Sequence, residues 1–431
     1  MSRTIAYLAL WLLLSSIASA QSGTTPVMSD TQGMSLADLG RLALVRNKGL
    51  EAARTSLEQA QARLTQARLV PNPTIDVSRS TDAVFANEGD NGYSVTLSQP
   101  LELGGKRVKR MRVAEASIEV TKAEIADAER QMIARLRRLY VDATAAAARV
   151  DLLQRVTGLN QQTMGVMNVR LRAGDASQLD AKLLAAENNQ VEARRAVAEN
   201  DLAAAIVQIR TLSGIAPGEP LVLRRPAPLS AVVPDSEAIL ARALDARPDL
   251  RAARLREALA EAGIRLARSQ GVPDTSAFVR YGNDSVVAQL PGAGQKRSFE
   301  REKVLEVGIS IPIPLFNRHQ GDISEAASLR TQSRAQREEL EQVVRQEVLL
   351  AYARYQTAQR TVAVLQSGVV EQNQDSFRII QLGYNLGEMR LLDVVNQQRV
   401  LIDAQTSFVD AQAELNTAVV DLDIASGVLL P

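Results

Sequence analysis

The chain has 431 residues, with 50 basic side chains against 49 acidic ones, a formal net charge of +1, and no cysteine. The absence of cysteine excludes disulfides, thiolate metal sites and a lipid-modified N-terminal cysteine. Balanced charge with only 3% aromatic residues argues against a nucleic-acid-binding protein.

The first 20 residues have the three parts of a secretory signal peptide. Arg3 precedes an apolar run from Ile5 to Leu14, and small residues lead to Ala20. We therefore predict a mature protein that begins near Gln21 with a tail over residues 21–34, and the periplasm of a two-membrane bacterium fits best. No later apolar stretch approaches the ~20 residues of a membrane-spanning helix, so membrane contact would come from strands or a surface.

Two halves of the chain repeat one another. Residues 47–54 recur, with changes, at 247–254, and residues 98–103 recur at 310–315. Tyr140 and Tyr352 keep the second of these offsets. A duplication of this length predicts two structural repeats, residues 35–213 and 235–427, joined by a proline-rich equatorial linker over residues 214–234.

Each repeat has the same predicted order of elements: helix, strand, loop, strand, long helix, tip and helix. Apolar residues seven apart, from Ile118 to Leu153 and from Val344 to Leu365, are typical of coiled-coil seams, and alternating segments predict strands. In the first repeat the strands are 73–80 and 92–99, the long helix 104–172, the tip 172–177 and the last helix 177–213. In the second repeat the strands are 275–282 and 304–311, the long helix 320–382, the tip 383–388 and the last helix 388–427.

Helix lengths indicate how these elements assemble. The first long helix runs roughly 100 Å, and two half-length helices stacked end to end match it at roughly 110 Å. Strands of 8–10 residues suit a thin apolar layer, but four cannot close a barrel and open edges are not tolerated in lipid. We therefore predict a mainly α protein with a small β part: a long antiparallel coiled-coil helical barrel joined to a trimeric 12-stranded β-barrel.

The repeat, the strands and the tip segments 170–180 and 383–393 resemble the outer-membrane efflux channels of the TolC type. The likeness is greatest to the outer-membrane components of heavy-metal (cobalt-zinc-cadmium type) RND efflux systems, and residues 311–318 are among its most specific parts. This resemblance implies a homotrimeric passive duct for metal cations or small toxic compounds. It also implies that the tips dock on a periplasmic adaptor, the membrane fusion protein, which is bound to an inner-membrane RND transporter.

The tips carry the candidate site residues. Asp180 and Asp393 occupy equivalent positions and could form a pore constriction that favours cations; the second aspartate of the family's motif corresponds to Asn396. The alternative for both aspartates is helix capping. Arg170 is a further candidate for bonds between the tips. The residues assigned to adaptor docking are Arg172, Gly174, Asp175, Ser177, Gly383, Asn385, Gly387 and Arg390.

Other functions find little support in the sequence. No nucleophile, base and orienting group occur together, so we predict no enzyme, and the single histidine, His319, with scattered methionines predicts no metal site or cofactor. The basic segment Gly104–Arg107, with Lys109 and Arg110, is predicted to turn from barrel to helix near lipid headgroups. The remaining alternatives are the duct of a type I protein secretion system and a periplasmic coiled-coil scaffold without a pore.

Overall fold

The computed structural model describes residues 28–29, 33–81, 91–174, 177–225, 235–289 and 297–427. The predicted signal peptide, Asp175 and residues 226–234 of the predicted linker lie outside these ranges. Within them, no helix has both the length and the apolar character needed to cross a membrane.

Nine α-helices and six strands follow one another along the described residues, with one π-helical segment. The first repeat contains β1 (Met28–Ser29), α1 (Leu36–Arg46), α2 (Lys48–Arg68), β2 (Thr74–Thr81), β3 (Asn91–Leu101), α3 (Lys106–Ala173) and α4 (Gln178–Ser213). The short strand β4 (Leu223–Arg224) follows in the linker. The second repeat contains α5 (Ser236–Ala246), α6 (Pro248–Gln270), β5 (Thr275–Gln289), β6 (Arg297–Ser310), α7 (Gln320–Val364), the π segment (Leu365–Val370), α8 (Glu371–Asn385) and α9 (Leu391–Ala425).

The long helix α3 organises the helical part. It spans 68 residues, roughly 100 Å at the usual rise of an α-helix, and contacts α2, α4, α6 and α9. The helices α6 and α9 also pack against α7. Half-length helices meet end to end in both repeats: Asn47 Nδ2 at the start of α2 donates to Leu212 O in α4 at 2.7 Å, and Arg247 Nη1 before α6 donates to Ala425 O in α9 at 3.3 Å.

The first helical part of each repeat is broken in two, where the sequence predicts a single helix. In the second repeat Pro248 is the first residue of α6, and a proline excludes the residue before it from the helical region. Arg247 accordingly has extended backbone angles, φ −66° and ψ 125°. In the first repeat Asn47 caps α2, because its Oδ1 accepts from Leu50 N at 3.0 Å.

The main sheet is antiparallel with the strand order β2-β3-β5-β6, which leaves β2 and β6 at its edges. The predicted strands 275–282 and 304–311 are too short, since pairing continues as far as Gln289 and Arg297. This outer part pairs polar residues, such as Asn283 with Lys303 and Asp284 with Glu302. These polar residues interrupt the alternating apolar pattern, so the composition of this part resembles that of a loop.

Two hydrophobic clusters lie at the level where the half-helices meet. In the first repeat α1 contributes Leu39 and Ala43, which pack with Leu136 and Tyr140 of α3. In the second, α5 packs on α7 and α9, with Tyr352 at the margin. The Tyr140 hydroxyl donates to Arg224 O, and β4 pairs in parallel with β1, a two-stranded sheet that the sequence did not predict.

Candidate functional site

One face of the main sheet is apolar and exposed over two complete rungs. Paired residues of neighbouring strands share a face, and successive residues of one strand alternate between faces. Every member of both rungs is exposed, although a water-soluble sheet buries its apolar face. The rungs are Val77–Val95–Tyr281–Leu305 and Ile75–Leu97–Val279–Val307.

The opposite face of the sheet is mainly polar, although it includes Phe278 and Val304. Ser78 and Ser94 share a hydrogen bond of 2.8 Å, and Arg280 Nη1 lies 3.9 Å from Glu306 Oε2. A sheet that is apolar towards one side and polar towards the other has the arrangement of a barrel wall between lipid and a water-filled interior.

The first tip is a tight turn between α3 and α4. Gly174 follows the last residue of α3 and has φ 83°, in the left-handed region that residues with a Cβ rarely adopt. Apart from its chain neighbours and its own helix, no described atom lies within 4 Å of the position that a Cβ would take. Ser177 caps the start of α4, and its Oγ accepts from Leu179 N at 3.0 Å. Arg172 extends back along α3, where its Nε donates to Asn168 O at 3.2 Å.

The second tip repeats this geometry with one additional contact. Gly387 again has φ 83°, and Asn385 is the last residue of α8. Gly383 O accepts from the backbone of Glu388 and Met389. A Cβ on Gly383 would approach Met389 Cγ to 2.8 Å, so a larger residue here would displace the Met389 side chain.

The two tips are joined by a small core and a cation–π contact. Met167 and Leu184 of the first hairpin are buried with Leu391 and Val395 of the second. The guanidinium carbon of Arg170 lies 5.2 Å from the centroid of the Tyr384 ring, within the range for attraction by the ring face. Arg170 is therefore the tip arginine that contacts the other hairpin.

The equivalent aspartates have equivalent capping bonds. Asp180 Oδ2 accepts from Ser177 N at 3.4 Å, and Asp393 Oδ2 accepts from Arg390 N at 3.1 Å. Arg390 Nε lies 3.6 Å from the same Asp393 oxygen. Asn396 is exposed on the next turn of α9. These bonds account for an acid at each helix start.

A buried polar pair lies above the tips and was missed by the sequence analysis. Gln398 Nε2 donates to Asn160 Oδ1 at 2.7 Å, and both residues are buried. Asn160 stands seven residues after Leu153 on the α3 seam, so extension of that row by one heptad would have found it. A polar residue at a seam position specifies the register of packed helices, and this pair joins α9 to α3.

Ion pairs add further links between the halves. Arginines of α3 and α4 bind carboxylates of α9 at N···O distances between 2.6 and 2.9 Å, and Arg399 pairs with the buried Glu187. The three pairs are Arg137–Asp423, Arg149–Asp410 and Arg194–Asp403.

Two buried arginines, Arg130 and Arg247, lie at the junction of α9 with α6. Arg247, only 3% exposed, contacts Asp249 and Glu347 at 2.6 Å each, and Arg130 Nη2 lies 3.4 Å from Asp249. Burial alone raises the pKa of Asp249, but the hydrogen bonds and charge of Arg247, with the charge of Arg130, lower it below 3.8. Asp249 is therefore ionised at neutral pH.

No cluster of three or more histidine, aspartate or glutamate side chains in the described ranges could hold a metal ion. His319 instead pairs through Nδ1 with Asp322 Oδ2 at 2.7 Å. This contact joins His319, the residue before α7, to the first turn of that helix.

A model of the family described as "Outer membrane efflux protein" matches residues 39–215 and 239–428. The chain belongs to this family. It is therefore an outer-membrane channel with a long periplasmic helical part, and not an enzyme. The resemblance inferred from the sequence is confirmed. The family match covers both predicted repeats.

The relatives span nearly the whole chain. The "Cobalt-zinc-cadmium resistance protein CzcC" of Cupriavidus metallidurans is 26% identical over 89% of this chain and 87% of its own length. The "Pyoverdine export outer membrane protein OpmQ" of Pseudomonas aeruginosa is 25% identical over 87% of this chain and 80% of its own. A crystal structure of CusC, at 19% identity, superposes with a TM-score of 0.75 over 95% of each chain, so the two share a fold.

Proposed function

We propose that the protein is the outer-membrane channel-tunnel of a tripartite RND-type efflux pump, a passive exit duct for heavy-metal cations. The observation that carries this proposal is the exposed apolar sheet face joined to helices roughly 100 Å long. Such a face is stable in lipid, and the helices would extend the duct into the periplasm.

The free edges of the sheet support a trimer. Backbone groups at an open edge find no hydrogen-bond partners in lipid, so β2 of one copy must pair with β6 of another. Three copies of the four-stranded sheet give twelve strands, within the range of outer-membrane barrels.

The matching bonds of Arg54 to Leu44 O and Arg254 to Leu244 O, both 2.8 Å, support an origin by duplication.

The tips are the proposed docking surface for a periplasmic adaptor and the proposed gate. The left-handed glycines expose the turns, and the residues assigned to docking surround them. Three copies would bring Asp180, Asp393 and Asn396 around one axis, where a ring of carboxylates favours cations. Capping uses one carboxylate oxygen of each aspartate, and we propose that the other oxygen faces the lumen.

The proposal of a metal cargo follows the cobalt-zinc-cadmium resistance for which CzcC is named, and pyoverdine export by OpmQ is the competing precedent. Selection would occur in the inner-membrane partner, since the tunnel needs only to pass what enters it. Susceptibility of a deletion strain to cobalt, zinc and cadmium, compared with susceptibility to dyes, tests this choice. Sensitivity to dyes alone would contradict a metal cargo.

The channel itself is tested on protein extracted from outer membranes in detergent. We expect the native mass of a trimer and single-channel conductance from the same sample. Asp393→Asn should increase the open fraction, because it removes the carboxylate that holds Arg390 at the tip. Asp375→Asn, an exposed change on α8, is the control and should conduct like the unchanged protein. A monomer without conductance would refute the channel, and closure by Asp393→Asn would refute the gate.

A further inference from the structure

The exposed apolar side chains of β6 continue beyond the end of the strand. Pairing with β5 ends at Ser310, and Pro312 and Pro314 follow. The alternation nevertheless continues through this segment, and every member of the series is exposed. The series is Leu305, Val307 and Ile309 within the strand, followed by Ile311, Ile313 and Leu315.

Polar side chains of the segment after β6 bond to its own backbone. Gln320 Nε2 donates to Phe316 O at 3.1 Å, and His319 N donates to Asn317 Oδ1 at 2.9 Å. Phe316 is 90% exposed. His319 has φ 58°, the only positive φ of a non-glycine residue in the described chain, and a strained residue of this kind persists only where its surroundings fix it.

The backbone of this segment makes few demands for hydrogen bonds. Pro312 and Pro314 have no N–H group, and Leu315 N donates to Ile313 O at 3.0 Å. Non-helical backbone outside a ladder is costly in lipid because its N–H groups lack partners. Two prolines and a local turn reduce that cost, so the segment can lie at the margin of a hydrocarbon layer.

Basic side chains mark the end of the apolar series. Arg318 is exposed and donates from Nε to Pro314 O at 3.3 Å. Its backbone lies against Gly271, whose missing Cβ would be 3.1 Å from Arg318 O, and the adjacent Val272 lies against Gly104. Lys109 Nζ donates to Gly104 O at 2.8 Å. The turns that follow β3 and β6 therefore bring cationic groups to one level.

The extent of the series agrees with a membrane. The ten residue steps from Leu305 to Leu315 cover at most roughly 33 Å, the length of a fully extended strand. At a tilt of about 40° this spans roughly 25 Å, the height of the apolar band of outer-membrane barrels. A membrane that ended at Ser310 would leave three aliphatic side chains and Phe316 in water.

We propose that residues 311–318, the Pro-Ile-Pro loop, form a lipid anchor in the periplasmic leaflet of the outer membrane. Phospholipid acyl chains cover Ile313, Leu315 and Phe316, and Arg318 binds a lipid phosphate. The occupant is lipid rather than a second copy, because the apolar face that the loop continues spans all four strands. A neighbouring copy in the proposed barrel pairs only with the edge strands β2 and β6 and leaves that face uncovered. The inference rests on the proposed barrel.

Tryptophan fluorescence in vesicles of brominated phospholipid tests the anchor. The only tryptophan, Trp11, lies in the predicted signal peptide, so the unchanged protein serves as the blank. Phe316→Trp reports on the loop, with Ile313→Trp as a second reporter if the first variant folds poorly. Val77→Trp is the positive control on the apolar sheet face, and Val197→Trp, exposed on α4, is the negative control.

We expect phospholipid brominated near the headgroup to quench Phe316→Trp as strongly as mid-chain bromine quenches Val77→Trp. Val197→Trp should keep its emission. Quenching of Val77→Trp without quenching of either loop reporter would overturn the anchor and leave the barrel intact; blue-shifted emission in that case would identify a neighbouring protomer as the cover. Failure to quench Val77→Trp would refute the proposed barrel itself.

Discussion

Replacement of Arg247 by methionine removes the guanidinium that links the start of α6 to the end of α9. Methionine keeps much of the apolar stem but leaves Asp249, whose side chain is 17% exposed, without its main partner. Loss of one partner of a buried ion pair costs about 3–5 kcal/mol. Glu347 is about half exposed, and Asp249 keeps a bond of 2.8 Å from Leu250 N, so we expect the lower end, about 3 kcal/mol.

Local opening of this junction is measured by amide hydrogen exchange in peptides that cover the end of α9 and the start of α6. A loss of about 3 kcal/mol corresponds to exchange faster on the order of 100-fold. Asn47→Ala is the matched control at the equivalent junction of the first repeat. It removes a neutral cap worth about 1 kcal/mol, and exchange there should accelerate only about fivefold.

Acid should weaken the same junction in the unchanged protein. The folded-state pKa of Asp249 lies below 3.8 because Arg247 and Arg130 outweigh its burial. Its stabilising effect is therefore complete above pH 3.8 and is lost as the pH falls through the folded-state value. In Arg247→Met this acid dependence should shrink. Equal exchange rates in the two proteins, or an unchanged acid dependence, would refute this account of the junction.

Two further predictions concern the sheet and the first helix. Gly308→Ala should reduce the amount of folded protein, because its Cβ would lie 2.5 Å from Phe278 Cζ. Gly282→Ala is the control, since its Cβ has 4.0 Å of space. Folded protein is measured by heat-modifiable electrophoretic mobility, and an equal loss in both variants would contradict the steric reason. The Ser35 hydroxyl and backbone amide lower the pKa of Asp38 to about 2, so capping by Asp38 is complete above pH 3.8 and is lost as the pH falls through about 2. Ser35→Ala should raise that pKa in a carboxyl ¹³C titration, and an unchanged value would refute the capping bond.

Periodicity was a sufficient guide to the long elements but not to their junctions. The seam rows locate α3 and α7 because heptad spacing persists for many turns. The helix break at Arg247 was missed, although Pro248 indicates a helix boundary, because the helical spacing of apolar residues continues across it. In the outer part of β5 and β6, polar residues such as Asn283, Asp284 and Lys303 interrupt the hydrophobic period, although the backbone pairing continues.

The tips show the same division. Gly174 and Gly387 follow from the need for a left-handed residue after a helix, and the structure gives both the same φ. The contact of Arg170 with Tyr384 could not be predicted, because the two residues belong to hairpins more than 200 positions apart. Asn160 lay within reach of the seam row, but its partner Gln398 is identified only by the packing of α9 against α3.

The free edges of the four-stranded sheet also affect how the protein is made. In the proposed trimer no single copy can enter lipid alone, since β2 and β6 would carry unpaired backbone groups with them. Insertion and association are then one kinetic event, and its rate rises steeply with the concentration of unassembled chains in the periplasm. A copy whose edge cannot pair would stop two normal copies from inserting, so loss-of-function alleles at either edge would be dominant.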